Sequence, residues 1–379
     1  MLCGGTLFAG SWTLSGTTLS SDDGQWEFNS CALSGSTLTI GSCAVAAADG
    51  ILDLRDVYVG AQKIEQIRVS DSAWGSAAIR EFYCDCLYMF SKSLFKDNLN
   101  LEKVHVTEYT GAIVKESAFY NCSNLQHCVF QDCRPTKFEK SCFYRCTSLE
   151  DEISDIVHPD TTTLGESAFN GCLKLCGCLV LNETTSLPKG AFASTAIQDF
   201  RLYSNNISSI RATNPISSSA LTNIVISSES LRELSYQQYN SFYQCTGIET
   251  ITLYLPNMDS ISSSKNHKLF ASSRIKKVTI LNEPWKDSEG NDITNTFLSR
   301  DVLGSVAAVA VNVDAPKNCT VYAVRKHWRD SFASAMEGSY EPLYAPAKCY
   351  GVYVDTSSRR KAYMAQPPDY KCGFIISTN

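Results

Sequence analysis

An eight-residue motif recurs along this chain and constrains its fold more than any other feature of the sequence. In each copy an aromatic residue is followed three positions later by cysteine, and three positions after that by Leu or Ile. The copies are AFYNCSNL at 118–125, CFYRCTSL at 142–149, AFNGCLKL at 168–175 and SFYQCTGI at 241–248. A motif that returns at a nearly fixed spacing is typical of a solenoid, in which each repeat forms one coil.

The aromatic residues of the motif set the length of the repeat. Phe95, Phe119 and Phe143 are evenly spaced along the chain, and Phe169 and Phe192 follow at nearly the same interval. All of these intervals lie within the range of about 20–29 residues per coil that is typical of leucine-rich repeats. The sequence therefore predicts an α/β leucine-rich-repeat solenoid. We expect a right-handed coil with one short parallel β-strand per repeat and an irregular or short-helical convex side.

Apolar residues with the spacing L-x-x-V-x-V follow the motif and predict the strands. The last two apolar positions alternate, so each segment is expected to bury one face of a short strand. Successive strands that run in the same direction would form a parallel sheet, with the coils stabilised by their neighbours. The predicted inward residues are Ile64, Ile67, Val69; Leu101, Val104, Val106; Leu125, Cys128, Phe130; Leu175, Cys178, Val180; Ile197, Phe200, Leu202; Leu221, Ile224, Ile226; Ile248, Ile251, Leu253; and Ile275, Val278, Ile280.

Many of the 17 cysteines fall at fixed places in this repeat. A cysteine that lies at the same place in every coil is expected to act as a small buried apolar residue. This interpretation covers the four motif cysteines, two inward strand positions and one replacement of the motif alanine: Cys122, Cys146, Cys172, Cys245, Cys128, Cys178 and Cys142.

Two groups of the chain's cysteines and histidines raise the possibility of zinc binding. The first is Cys84, Cys86 and His105, and the second is His127 with Cys128 and Cys133. A structural zinc site needs four convergent ligands with a characteristic spacing, which neither group shows. We therefore predict no metal and no cofactor. A disulfide between Cys349 and Cys372 is the more plausible role for the C-terminal cysteines.

The repeat pattern divides the chain into three predicted parts. Residues 1–60 contain two similar Gly/Ser/Thr turns, LSGTTL and LSGSTL, and are expected to form an N-terminal β cap. The alternative for this part is a carbohydrate module that uses Trp12 and Trp26. Residues 61–335 are assigned to the solenoid with a terminal capping helix, and residues 336–379 to a C-terminal β tail.

Composition and motifs exclude several functional classes. The net charge is −6 and no stripe of Lys and Arg is visible, so nucleic acid is not an expected partner. No apolar run approaches the roughly 18 residues of a membrane span. The sequence contains no metalloprotease, serine hydrolase or nucleotide-binding signature, so we expect a protein without catalytic activity. The remote alternative is a hydrolase with a site in residues 340–379.

The repeats resemble the BspA-like leucine-rich repeats (LRR_5 type) of bacterial surface proteins, notably those of gut and oral anaerobes. The family motif I-x-x-x-A-F-x-x-C-x-x-L-x-x-V-x-[IL]-P is similar to residues 113–130, 164–181 and 242–256. This resemblance covers about 60–335 and names no ligand. It implies an extracellular or cell-surface location, although the first residues lack the features of a signal peptide. We expect that a leader precedes the first residue of the natural chain.

The outward residues of the predicted strands are the natural contact residues of such a solenoid. We therefore predict an adhesion or binding protein, monomeric, whose partner is a protein or glycan such as host extracellular matrix. The alternative is a structural spacer that displays another module, in which case these residues would be replaceable. The candidate binding residues are Arg68, His105, Arg201, Tyr203, Thr252 and Tyr254, and Val129, Leu179, Val225 and Thr279 are expected to face outward with them.

Overall fold

In a computed structural model of the chain, the described residues run from 11 to 258 with short gaps. The gaps are residues 110, 132–133, 211–213, 236–241 and 243–244, the side chains of 234–235 are also outside the description, and beyond residue 258 only short strands are described, without side chains. The chain divides into two compact units, Met1–Cys176 and Gly177–Asn379.

The described part of the first unit consists of short strands and one helix. They are β1 (Ser11–Ser15), β2 (Thr18–Ser21), β3 (Glu27–Phe28), β4 (Ala32–Ser34), β5 (Thr37–Ile40), β6 (Cys43–Val45), β7 (Ile51–Leu54), β8 (Tyr58–Val59), β9 (Gln62–Lys63), β10 (Gln66–Val69), β11 (Glu81–Cys84), β12 (Lys103–Val106), β13 (Ile113–Val114), β14 (His127–Phe130), β15 (Lys137–Phe138), α1 (Ile153–Ile156) and β16 (Thr163–Leu164).

The second unit is described as strands alone. They are β17 (Cys176–Leu181), which begins at the unit boundary, β18 (Phe192–Ala193), β19 (Ala196–Leu202), β20 (Ser209–Ile210), β21 (Ile216–Ser217), β22 (Asn223–Ser227), β23 (Glu233–Ser235), β24 (Thr250–Tyr254), β25 (Ser260–Ser262), β26 (Lys277–Ile280), β27 (Ala308–Val313), β28 (Cys319–Thr320), β29 (Ala323–Arg325), β30 (Pro342–Tyr344), β31 (Cys349–Tyr350), β32 (Asp355–Thr356), β33 (Arg359–Arg360), β34 (Ala362–Ala365) and β35 (Gly373–Ile376).

The main sheet of the first unit is parallel and has the order β14–β12–β11–β7. Every strand alternates between partly exposed and buried residues. Leu52, Phe82, Val104 and Cys128 form one buried row across the four strands, as the register shows. The strand positions predicted at 101–106 and 125–130 are therefore confirmed, because alternate side chains of a strand point to opposite faces.

A second line of short parallel strands runs along another side of the coils. Strand β10 pairs with β5, and β13, β15 and β16 pair in that order farther along the first unit. Ile67 and Val69 are buried, as predicted, but their strand lies in this side sheet and not in the main sheet. Both lines of strands bury alternate apolar residues, so the pattern alone does not say on which side of the coil a strand lies.

Antiparallel hairpins open the described chain, with the sheet order β6–β3–β2–β1–β8–β9. The part of the chain predicted as a cap also supplies β5 to the side sheet and β7 to the main sheet. Trp12 and Trp26 are both buried and pack against Phe28, with ring centres 6.0 and 5.9 Å away. These side chains therefore belong to a core. The N-terminal cap and the domain boundaries at residues 60 and 335 stay predictions.

The motif aromatics of the first unit stack in a row through its interior. The ring centres of Phe95 and Phe119 are 5.5 Å apart, those of Phe119 and Phe143 are 4.7 Å apart, and those of Phe143 and Phe169 are 5.1 Å apart. All four rings are fully buried and nearly parallel. Stacked aromatic rings attract one another beyond the free energy of burying their area, so each coil stabilises its neighbour.

The motif backbone is also paired from coil to coil. The amide of Phe95 donates to the carbonyl of Ala118 at 2.8 Å, and the amide of Phe119 donates to the carbonyl of Cys142 at 2.7 Å. Ser117 and Asn121, on either side of this segment, have φ angles of 57° and 59°. These two left-handed residues turn the chain at the motif, in a region that favours residues with short side chains.

The motif cysteines are buried, which confirms their role as core residues. In addition, the thiol of Cys122 donates to the carbonyl of Phe95 at 3.0 Å, and the thiol of Cys146 donates to the carbonyl of Phe119 at 3.1 Å. Asn98 makes the same connection one coil earlier, from its Nδ2 to the carbonyl of Trp74 at 3.1 Å. A buried carbonyl benefits from such a donor, so the cysteine both fills space and links two coils.

The coil that follows Phe169 departs from the predicted register by one residue. In β17 the buried residues are Leu179 and Leu181, whereas Cys178 and Val180 are partly exposed. The prediction that Cys178 and Val180 point inward and Leu179 outward is therefore wrong. The cause is the extra residue Gly177, which has a φ of 91° that glycine adopts readily.

The coil after Phe143 has a short helix where the others have a strand. Helix α1 buries Ile153 and Ile156 and lies against β14. Three acidic residues, 150–152, directly precede this helix in the sequence. Apart from α1, the described residues contain no helix, so the short-helical convex side is not confirmed. None of their helices is long and apolar enough to cross a membrane.

The second unit repeats the same construction. Its main sheet has the order β17–β19–β22–β24–β26–β27–β29, and the inward residues predicted between 197 and 253 are buried. Its side sheet is parallel and consists of β20, β23 and β25. Three predictions lie outside the described residues: the terminal capping helix, the disulfide between Cys349 and Cys372, and a hydrolase site in residues 340–379.

The stacked aromatic row predicts a large effect of truncation. We expect Phe119→Ala to lower the free energy of unfolding by about 3–5 kcal/mol, because it leaves a cavity between two rings. Leu99→Ala is the control, since 51% of Leu99 is exposed, and we expect it to change stability by less than about 0.5 kcal/mol. Urea denaturation followed by circular dichroism measures both. Equal effects of the two substitutions would contradict the stacked core.

The buried thiols predict a pattern of chemical reactivity. Burial raises the pKa of the Cys122 thiol and raises that of Cys245 to about 12. We expect iodoacetamide at pH 8 to label Cys122, Cys146 and Cys245 at least about 100-fold more slowly than the partly exposed Cys176 in the native chain. Peptide mapping by mass spectrometry measures each rate. Rapid labelling of Cys122 in the folded protein would overturn the assignment of the motif cysteine to the core.

Candidate binding surface

The outward residues of the main sheet of the first unit form a continuous polar and aromatic surface. Because the strands are in register, Asp53, Tyr83, His105 and Val129 form one row across them. A second row two residues earlier contains Ile51, Glu81, Lys103 and His127. All eight residues are partly exposed. Adjacent residues of a row are about 4.8 Å apart along the sheet, so a single ligand can contact several of them.

Tyr83 is at the centre of this surface. The His105 ring lies 6.0 Å from the Tyr83 ring at an angle of 29°. Two cations lie against the tyrosine, the Arg55 guanidinium at 4.8 Å and the Lys103 ammonium at 5.4 Å from the ring centre. The Tyr83 hydroxyl donates to Glu81 Oε2 at 2.6 Å. We call these five residues the Tyr83 cluster.

The charges of the Tyr83 cluster are only partly compensated by ion pairs. Arg55 donates to both carboxylate oxygens of Asp53, at 2.8 and 2.5 Å, and this hydrogen bonding raises the pKa of the guanidinium. Glu81 is paired with Arg80 at 2.8 Å. Lys103 has no ion pair among the described residues, so its charge faces solvent and the tyrosine ring. A cation held against an aromatic ring is available to a ligand that carries negative charge.

The environment of Tyr83 raises the pKa of its hydroxyl group. Partial burial, followed by the hydrogen bond to Glu81, raises the pKa of Tyr83 to about 12. Both causes disfavour the phenolate, since it would lose hydration and lie beside a carboxylate. At neutral pH the hydroxyl is therefore protonated and acts as a hydrogen-bond donor.

The two histidines of the surface are held by neighbouring side chains. His105 Nε2 is 3.1 Å from Gln131 Oε1, and His127 Nδ1 is 2.9 Å from Asp151 Oδ1. The other oxygen of Asp151 accepts the Cys128 amide at 2.7 Å, which fixes the carboxylate at the edge strand. These bonds limit the rotation of both rings. The orientations of both rings are therefore restricted, and groups held in this way lose less entropy in an interface.

The main sheet of the second unit has an outward surface of different character. Arg201 donates to Asp199 Oδ2 at 2.6 Å, and this hydrogen bond raises the pKa of the guanidinium. Asn223 donates to Asp199 Oδ1 at 2.8 Å and accepts from the Thr250 hydroxyl at 2.5 Å. A hydrogen-bonded chain thus crosses three strands, and it uses many of the polar groups of this surface internally.

The structure separates the six predicted binding residues into three places. His105 lies in the Tyr83 cluster of the first unit. Arg68 lies in the side sheet, where its guanidinium is 4.2 Å from the Tyr88 ring centre, so it does not share a sheet with His105. Arg201, Thr252 and Tyr254 lie on the main sheet of the second unit, and Tyr203, 41% exposed, follows the end of β19.

Sequence reasoning missed Tyr83, although the sequence contained a signal for it. Ile79, Phe82 and Cys84 match the L-x-x-V-x-V spacing of the inward residues. The preceding segment, Ser72-Ala73-Trp74, is a copy of the Ser-Ala-Phe motif with Trp in place of Phe, and Ser72 has the same left-handed backbone as Ser117, with φ of 56° and 57°. This coil escaped detection because Ala77 replaces the motif cysteine.

Comparison with known proteins identifies the repeat. A family model described as the BspA type leucine rich repeat region matches residues 88–214 and 162–286, with six copies. A leucine-rich repeat protein from Bacteroides ovatus ATCC 8483 is 18% identical, with a TM-score of 0.42 over 76% of this chain and 75% of that chain. A leucine rich cell surface protein from Faecalibacterium prausnitzii A2-165 is 10% identical, with a TM-score of 0.26 over 71% of this chain and 88% of that chain. A search of curated proteins finds no match.

The raised pKa of Tyr83 predicts how the folded chain responds to high pH. Because the folded pKa is above the unfolded value of 10, the contribution to stability is present below pH 10 and is lost as the pH rises through about 12. We expect the tyrosine Cζ resonance that disappears in Tyr83→Phe to titrate near pH 12 in a carbon-13 NMR experiment. A midpoint near pH 10 for that resonance would contradict both the partial burial of Tyr83 and its hydrogen bond to Glu81.

Proposed function

This chain belongs to the BspA type leucine-rich repeat family, and we propose that it is a non-catalytic cell-surface protein that binds a protein or glycan through the outward faces of its parallel sheets. The Tyr83 cluster is the observation that carries this proposal. It places an aromatic ring, two cations and an imidazole side by side on a rigid sheet. Tyrosine and arginine are enriched at the energetic centres of protein interfaces.

The chemistry of the partner follows from the groups that the surface offers. Lys103 and the Tyr83 ring suit a ligand with carboxylate or sulfate groups beside apolar surface, as on host extracellular-matrix proteins and acidic glycans. We propose an extracellular or cell-surface location on the basis of the family. The expectation of a monomer stays a prediction.

The surface of the second unit favours a second candidate function for that part of the chain. Because Asp199, Asn223 and Thr250 satisfy one another, this surface suits a spacer whose outward residues add stability. On this proposal the second unit displays the first, and only the first contacts a partner.

The buried cysteines give no support to a catalytic alternative. Burial raises the pKa of the Cys128 and Cys142 thiols well above the usual value, which makes both poor nucleophiles. The hydrolase site considered for residues 340–379 would need side chains outside the described residues. It stays the remote alternative.

An array of glycans and extracellular-matrix proteins, probed with the whole chain, tests the proposal. We expect Tyr83→Ala to weaken binding to any ligand found by about 30-fold, or ~2 kcal/mol, as for a central interface tyrosine. Tyr144→Ala is the matched control, since this tyrosine also carries a cation, Arg145 at 5.4 Å, but lies in the motif segment away from the main sheet. Arg201→Ala and Tyr203→Ala test the second unit in the same assay.

The outcomes separate the two candidate functions. Loss of binding in Tyr83→Ala alone supports a contact surface on the first unit with a spacer in the second. Loss in Arg201→Ala or Tyr203→Ala assigns binding to the second unit instead. An equal loss of binding in Tyr83→Ala and Tyr144→Ala contradicts the proposed role of the Tyr83 cluster. The absence of any ligand on the array contradicts it as well.

A further inference from the structure

Three metal-ligating side chains converge where the chain leaves β11. The strand ends at Cys84, and the chain bends through Asp85 and Cys86. At Leu87 it then forms parallel β-bridges with Ile67 and Tyr109. The two sulfur atoms and a carboxylate oxygen of Asp85 all lie within 4.8 Å of one another. A straight strand would direct these side chains to alternate faces. The bend is therefore what brings the three ligand atoms together.

The backbone holds this bend from both sides. The carbonyl of Cys84 accepts the amide of Thr107 at 3.0 Å, and the carbonyl of Cys86 accepts the amide of Ile67 at 2.8 Å. The carboxylate of Asp85 accepts the amide of Asp56 at 2.8 Å through Oδ2, which orients its second oxygen. Carboxylate ligands of metal ions are commonly fixed by such a neighbouring donor.

The chemistry of the three groups selects the type of ion. Thiolate, imidazole and carboxylate are the ligands of zinc, at about 2.0–2.3 Å from the ion. Around a tetrahedral ion of this kind, ligand atoms are about 3.3–3.8 Å apart, so a closure of about 1 Å by rotation of the side chains would complete the geometry. Cys84 is fully buried and 8% of Cys86 is exposed, whereas Asp85 is partly exposed, so water can reach the carboxylate side as a fourth ligand.

We infer that Cys84, Asp85 and Cys86 form a binding site for one thiophilic divalent cation, of which zinc is the best match. Binding forms two metal–sulfur bonds and one metal–oxygen bond and releases the two thiol protons to solvent. No oxidation is involved. The negative charge left on the site lies near Arg55 and Lys63, both of which interact electrostatically with Asp85.

The sequence raises Cys84 and Cys86 with His105 as a zinc group, and their spacing leads to its rejection. In the structure the Nε2 of His105 contacts Gln131 instead. Asp85, between the two cysteines in sequence, supplies the third ligand. The inference is independent of the proposed binding function, because it concerns the end of β11 rather than the outward sheet surface.

A second pair of buried thiols in the first unit provides a matched control. The thiols of Cys146 and Cys172 are close enough to interact electrostatically, as are those of Cys84 and Cys86. Among the described residues, however, only the Cys84 group includes a third ligand within reach. Two fully buried thiols without a carboxylate or imidazole do not make a zinc site.

Titration of the whole chain with Co²⁺ under reducing conditions tests the inference. Cobalt replaces zinc and gives a charge-transfer absorbance in the near ultraviolet when it is bound by thiolate. We expect one equivalent of Co²⁺ to produce this band and one equivalent of Zn²⁺ to abolish it. Cys86→Ser and Asp85→Asn should each weaken binding at least about tenfold, and Cys172→Ser should leave it unchanged.

Circular dichroism of each variant establishes that it is folded. If Cys86→Ser does not fold, Asp85→Asn still tests the site, because Asp85 is partly exposed and its replacement leaves the core unchanged. A saturable band that is lost in Asp85→Asn and kept in Cys172→Ser supports the site. Absence of the band in the unmodified chain, its persistence in Asp85→Asn, or its loss in Cys172→Ser would overturn it.

Discussion

The contact between the motif segments of successive coils is the interaction on which the rest of the structure depends. In the first unit this contact has three components at the same place. The phenylalanine rings stack 4.7–5.5 Å apart, and the phenylalanine amide donates to a carbonyl of the next coil. The cysteine thiol donates to the carbonyl of the motif aromatic in the preceding coil. Because a single coil cannot bury its own apolar face, it persists only through these contacts with its neighbours.

The position of the candidate surface follows from this stacking. A fixed offset between coils fixes the register of the main-sheet strands, and the alternation of a strand then directs every second side chain outward. Tyr83 and His105 are far apart in sequence, yet they are neighbours because their strands pair directly. A single inserted residue, Gly177, is sufficient to reverse the faces of a strand, as β17 shows. The composition of the surface is therefore sensitive to the length of each coil.

Much of this fold could be predicted from the sequence, because the repeat combines a conspicuous motif with a strict apolar spacing. The inward residues of most strands and the buried motif cysteines were predictable in this way. The side sheet was not, since Ile67 and Val69 have the same alternation as a main-sheet strand. The Tyr83 cluster was missed because Trp74 and Ala77 replace the Phe and Cys of the motif in its coil. The approach of Asp85 to two thiols depends on a chain bend that no local sequence pattern indicates.

Paired motif segments hold the coils in register. Hydrogen exchange of the amides of Phe95, Phe119 and Phe143 measures this pairing, because each of the three is paired with a carbonyl one coil away. We expect these amides to be protected as strongly as those of the main-sheet strands, since both open only when neighbouring coils separate. Exchange of the three motif amides at the rate of exposed turns, while the sheet stays protected, would contradict this pairing.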